Sequence, residues 1–207
     1  MSLDLWLTFV AASTALLLIP GPTVLLVLSY ALTQGRRVAL ATAAGVALGD
    51  FLAMSASLAG LGALVLASAA LFTALKWAGA AYLVWLGLKM LRSTPAPLCE
   101  QAVSSDTSAR AVFCHAAAVT ALNPKSIAFF IAFVPQFVQP TVPLGPQFAI
   151  LVATFVSLAA LNTLAYAVMA DRMRARIARP SVRLWVNRAA GSALIGMGVL
   201  TAALRRA

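Results

Sequence analysis

Six stretches of the chain are almost continuously apolar, and polar residues are concentrated in the segments between them. The runs cover about Leu5–Leu32, Val38–Leu66, Leu71–Leu91, Ala111–Val138, Leu144–Ala170 and Ala189–Leu204. A helix needs roughly 20 mostly apolar residues to cross about 30 Å of hydrocarbon, so the pattern predicts an all-α integral membrane protein with six transmembrane helices. The first run follows Asp4 with no Lys or Arg before it, and it continues well beyond the roughly 7–15 apolar residues of a signal peptide; it reads as a retained helix.

The only long polar connection, Arg92–Arg110, carries Pro95, Pro97, Glu100, Ser104, Ser105, Asp106 and Ser108. It divides a single transmembrane domain, 1–207, into a first three-helix half, 1–91, a loop, 92–110, and a second three-helix half, 111–207. An odd number of crossings per half inverts the second relative to the first, which permits an inverted repeat. Each half opens with an interrupted helix, at Pro20-Gly21-Pro22 and at Asn123-Pro124-Lys125. Proline removes a backbone donor and clashes with the preceding turn, so helices one and four should be broken and leave carbonyls without helical partners. Broken helices in corresponding positions of two halves point to a transporter's binding site.

Composition agrees with the pattern: 62% of the 207 residues are apolar and 10% charged, and the mean hydropathy is +0.96. The net charge of +10 would suit a nucleic-acid binder, but most of the 15 basic residues lie in the connections. Arg36 and Arg37 follow the first run, Lys89, Arg92 and Arg110 flank the central loop, and Arg172, Arg174, Arg176, Arg179, Arg183 and Arg188 follow the fifth. The links near Ser68 and over 139–147 carry no charge. Positive charge collects on the cytoplasmic side, so the loop 92–110 should be cytoplasmic and both termini outside, with Arg205 and Arg206 as a minor counter-signal. The run Asp171–Arg188 reads as a topological anchor rather than an interfacial helix. Cys99 and Cys114 fit no metal or redox spacing, and neither metal nor cofactor is expected.

Asp50 is the only acid inside an apolar run. Placing it at the centre of a membrane helix costs about 2.5–3.5 kcal/mol on insertion scales, so it should face the protein interior and act in coupling. Lys125 is the counterpart cation. At about 1.5 Å per residue, Pro22, Asp50 and Lys125 lie roughly 15, 18 and 21 Å from the cytoplasmic ends of their helices, near the midplane. Asn162 is a polar amide deep in the fifth run, in the half opposite Asp50. Lys76 lies near an extracellular helix end and can snorkel to the interface. Ala41, Gly45, Gly49 and Ala53 form a smooth stripe that should hold Asp50 against broken helix one. Phe129, Phe130, Phe133 and Phe137 are expected to contact lipid.

Pro20-Gly21-Pro22, the stretch from Gly45 through Gly49-Asp50, Lys76 with Gly79-Ala80 and Tyr82-Leu83, and Asn123-Pro124-Lys125 with Phe130 and Pro135-Gln136-Phe137 together resemble the LysE/RhtB family of amino-acid exporters. The resemblance spans helices one to four in order and spacing. It implies proton-driven export of amino acids or related metabolites from the bacterial cytoplasm, with Pro20, Gly21, Pro22, Asp50, Lys76, Asn123, Pro124 and Lys125 at the family's functional positions. Threonine, homoserine, leucine, cysteine derivatives, lysine and arginine all fit it, and one acid beside one lysine favours a neutral zwitterion. The expected partners are this solute, protons and the lipid bilayer of the inner membrane, not nucleic acid; a homodimer is left open. An enzyme is disfavoured by the lack of clustered acids, histidines or a nucleophile with its base, and an ATP-driven pump by the lack of a phosphate loop. A metal-ion exporter or passive channel is the runner-up, but only Met54 offers a soft ligand near Asp50.

Overall fold

A computed structural model of the chain describes residues 1–19, 21–34, 38–92, 107–139, 142–177 and 180–203, with no side-chain description at 64–67, 69, 72, 171–177, 180, 183 and 186. Pro20, Arg36 and Arg37, residues 93–106 of the central loop with Cys99, and Arg205 and Arg206 lie outside the described residues.

The Pro-Gly-Pro sequence divides the first apolar run into α1 (Leu3–Leu18) and α2 (Pro22–Gln34), whose axes bend by 57°. Ser2 caps α1, its Oγ accepting from Leu5 N at 3.4 Å. Pro22 opens α2 at a position where a missing N–H costs nothing, because the first N–H groups of a helix have no intrahelical partner. The fourth run divides in the same way. Ser108 caps α5 (Ala109–Ala121), Asn123 caps α6 (Pro124–Ala132), a 3-10 turn follows at Val134–Phe137, and the bend is 46°.

The remaining helices are α3 (Ala39–Ala67), α4 (Ala69–Arg92), α7 (Leu144–Ile177) and α8 (Pro180–Ala203). Among the described residues there is no strand, and the protein is an all-α membrane protein. Ala39–Ala63 and Leu144–Ala170 are each long and apolar enough to cross a bilayer, and the two bent pairs bring the number of such spans among the described residues to as many as four.

Most of the charged run is helical. Helix α7 continues to Ile177 and α8 begins at Pro180 rather than near Ala189. Hydropathy marks where a helix leaves hydrocarbon, whereas Arg and Ala are both strong helix formers and carry the coil onward.

Packing joins the halves more than it joins neighbours in sequence. Helix α3 lies on α5, α6 and α7; α7 lies on α1 and α2; α4 lies on α8 and α6. The small-residue stripe therefore has a different partner from the one expected. A Cβ on Gly49 would lie 2.6 Å from the Ala117 carbonyl, and one on Gly45 would overlap the Phe113 carbonyl, so the glycines seat α3 on α5 and not on broken helix one. A stripe reveals a smooth face but not which helix fills it.

The phenylalanines are also corrected. Phe129, Phe130, Phe133 and Phe137 are buried rather than lipid-facing. Phe129 stacks on Phe133 with centroids 5.3 Å apart, and Phe130 meets Phe155 of α7 edge-on at 4.9 Å. Phe137 meets Phe9 of α1 edge-on at 5.3 Å. Lipid and protein core are equally apolar, so composition alone does not separate them. This aromatic cluster fixes α6 and the 3-10 turn between α1 and α7, and thereby aims the start of α6 at the end of α1.

Candidate functional site

A helix ends with four carbonyls that its own backbone does not satisfy. At the end of α1 the carbonyls of Leu16, Leu17, Leu18 and Ile19 receive side chains from the later part of the chain. Lys125 Nζ donates to the Leu16 and Ile19 carbonyls at 3.1 and 2.9 Å. Asn162 Nδ2 donates to the Leu17 carbonyl at 3.1 Å, and the Tyr166 hydroxyl to the Leu18 carbonyl at 3.1 Å. The Ile19 N–H also returns to Leu16 at 3.2 Å. Asn162 and Tyr166 are four residues apart, on one face of α7.

The second break is tied to the first. Asn123 Oδ1 accepts from the backbone N–H of Lys125 at 3.1 Å, and Asn123 Nδ2 donates to Thr23 Oγ1 at 3.2 Å. Thr23 Oγ1 in turn lies 3.4 Å from Thr120 Oγ1. This chain of polar contacts connects the start of α2, the end of α5 and the start of α6.

Between the breaks lies a small cavity of about 30 Å³, room for one or two water molecules rather than for an amino acid. Asp50 and Lys125 are both on its wall and interact electrostatically. Asp50 is 2% exposed, and its Oδ1 has no hydrogen-bond partner. Lys125 is 9% exposed. Val27, Val46 and Ala159 give part of the wall an apolar character.

Gly21, Asp50, Asn123, Lys125 and Asn162 thus share one cavity. Pro22 and Pro124 head α2 and α6 but are not on its wall. Lys76 is half-buried in α4 and does not line the cavity. Thr23, Ser126, Thr163 and Tyr166 line it without having been singled out from the sequence. Helical spacing from Asn162 would have found Tyr166, and adjacency to the proline breaks would have found Thr23 and Ser126.

An acid and an amine facing one polar cavity at two helix breaks, within an apolar bundle, form the architecture of a membrane transporter. The family model of the LysE type translocators matches residues 14–204, and the chain belongs to that family. The match includes α7 and α8, where the sequence offered no motif. The chain is 34% identical over 207 residues to a homoserine/homoserine lactone efflux protein of Salmonella typhimurium, covering all of both chains. It is 35% identical over 202 residues to an uncharacterized membrane protein of Vibrio cholerae, covering 98% of each. It is 32% identical over 134 residues to a leucine efflux protein of Klebsiella pneumoniae, covering 65% of this chain and 63% of that one. No solved structure matches it.

Proposed function

We propose that the protein exports neutral amino acids or close derivatives from the bacterial cytoplasm by secondary active transport coupled to protons. The observation that carries this is the placement of Asp50 and Lys125 on one cavity wall beside two helix breaks. A carboxylate and an ammonium together leave the wall without net charge and match the two charges of a zwitterion. A strongly cationic side chain would need a second acid. The N-termini of α2 and α6, positive ends of helix dipoles, favour the carboxylate of the solute. The names of the efflux relatives support homoserine and leucine as first substrates to try. The metal-export alternative gains no ligand set: among the described residues no three His, Cys, Asp or Glu side chains gather.

The same reading takes six spans as two inverted three-helix halves in the inner membrane, both termini outside. Helices α4 and α8 have 24 residues each, or about 36 Å at 1.5 Å per residue, enough for a crossing. Packing is consistent with a twofold relation between the halves, since α3 lies on broken helix four and α7 on broken helix one, while α3 meets α7 and α4 meets α8.

The test is efflux of preloaded homoserine, leucine and lysine from proteoliposomes. Homoserine or leucine should leave at least tenfold faster than from protein-free vesicles, and lysine should not. Equal rates with and without protein for the whole panel would overturn the assignment.

A further inference from the structure

The charge of Lys125 is placed against the preference of its own helix. Pro124 and Lys125 are the first residues of α6, where the helix dipole is positive and a cation is unfavourable. Its ammonium lies instead at the negative end of α1, 3.1 Å from the Leu16 carbonyl and 2.9 Å from that of Ile19. Of its three N–H donors, two are used by these carbonyls.

The end of the lysine chain lies against Gly21. A Cβ there would stand 3.4 Å from Lys125 Nζ and 3.5 Å from Cε, in contact with the end of the lysine chain. The other two terminal carbonyls take neutral donors, from Asn162 and Tyr166. One cation thus sits where two backbone oxygens converge, with the buried Asp50 carboxylate interacting electrostatically and one of its oxygens unpartnered. Unwound carbonyls, a helix C-terminus and a nearby carboxylate are the hard oxygen ligands that hold an alkali cation in broken-helix transporters.

We propose that the C-terminal end of α1 is a monovalent-cation site filled by the tethered ammonium of Lys125, so that removing the amine opens a site for Na⁺. The lysine then performs with a tethered charge what a diffusible ion would perform by binding: it holds the broken end of α1 against α6. The chain accordingly works without Na⁺. The inference uses the cavity of the proposed function but not its substrate, and its readout does not require export.

The experiment is thermal unfolding of purified protein in detergent, without amino acid, in about 0.15 M sodium, potassium or choline chloride, near physiological ionic strength. The parent should melt at the same temperature in all three. Lys125→Ala should melt lower in choline and be raised selectively by Na⁺, along a saturable concentration curve. Lys125→Met, which fills the space without a charge, should not respond to Na⁺. A parent stabilised by Na⁺ overturns the proposal, and that arm needs no variant. So does a Lys125→Ala protein that responds identically to the three salts, or one that cannot be recovered in Na⁺ although Lys125→Met can. A Na⁺ response with no measurable efflux would leave the site standing while the export reading fails, so the two are distinguishable.

Discussion

Lys125 Nζ and the Ile19 carbonyl, 2.9 Å apart, join the start of α6 to the end of α1 and so bind one half of the protein to the other at the broken helices. Asn162 and Tyr166 extend this union along α7. The three side chains have one job in common: they supply donors that proline took away when it ended the helix. A transporter that opens alternately to two sides must part or pivot contacts of this kind.

The caps should differ in weight. The Asn162 bond to Leu17 is partly buried, whereas the Tyr166 bond to Leu18 is exposed, where water can replace the hydroxyl. Asn162→Leu leaves a carbonyl unpaired and should lower stability by about 1–3 kcal/mol, while Tyr166→Phe should cost under about 1 kcal/mol. Thermal unfolding of both variants in detergent checks the order. A larger loss for Tyr166→Phe would contradict the capping account.

Substitutions along α3 should separate a packed glycine from a free one. A Cβ on Gly49 would be 2.6 Å from the Ala117 carbonyl and 2.7 Å from Thr120 Cβ, while one on Gly60 meets nothing within 4 Å. Overpacking against backbone typically costs about 1–3 kcal/mol, but alanine in an open helical position gains up to about 1 kcal/mol over glycine. Gly49→Ala should therefore reduce the amount of inserted, folded protein, and Gly60→Ala should leave it unchanged or higher. Fluorescence-detected size-exclusion of tagged variants gives the comparison. Equal profiles would show that α3 and α5 are not held this closely.

What the sequence displayed and what it concealed follow from the kind of signal involved. Proline breaks and a lone acid are local facts, and Pro22, Asp50, Asn123 and Lys125 stood out because hydrocarbon makes each of them expensive. Asn162 stood out for the same reason. Partners are not local facts: nothing in Gly45 or Gly49 says that α5 rather than α1 fills the groove. The phenylalanines of α6 were unreadable because their spacing is the same against lipid or against Phe155. Tyr166 carries no charge and stands at no helix break, and only its distance of four residues from Asn162 points to its role.

Topology has its own expected outcome. The basic residues around the central loop and after the fifth span should hold these connections in the cytoplasm. Reporter fusions at Ser105 and at the C-terminus should give cytoplasmic and periplasmic signals respectively. A periplasmic signal at Ser105 would invert the assignment and with it the direction in which α2 and α5 face.

Asp50 should be the residue through which protons drive export. It is 2% exposed, it is on the cavity wall with Lys125, and one of its oxygens has no partner, although a carboxyl kept only for structural hydrogen bonds would be expected to use both. Asp50→Asn preserves the shape and the amide's capacity to hydrogen-bond but removes the exchangeable proton. In proteoliposomes loaded with substrate, acidifying the outside supplies an inward proton gradient and should speed efflux by the parent. The quantity to compare is the ratio of efflux with the gradient to efflux without it, normalised to inserted protein, because this ratio cancels changes in binding. For Asp50→Asn it should fall toward unity, a loss of tenfold or more in gradient-driven efflux, which corresponds to about 1.4 kcal/mol or more of coupling free energy. A purely structural role predicts the reverse pattern: Asn would serve nearly as well as Asp, and only Asp50→Leu would lower the amount of folded protein. An Asn variant that responds to the gradient as the parent does would remove Asp50 from the coupling path.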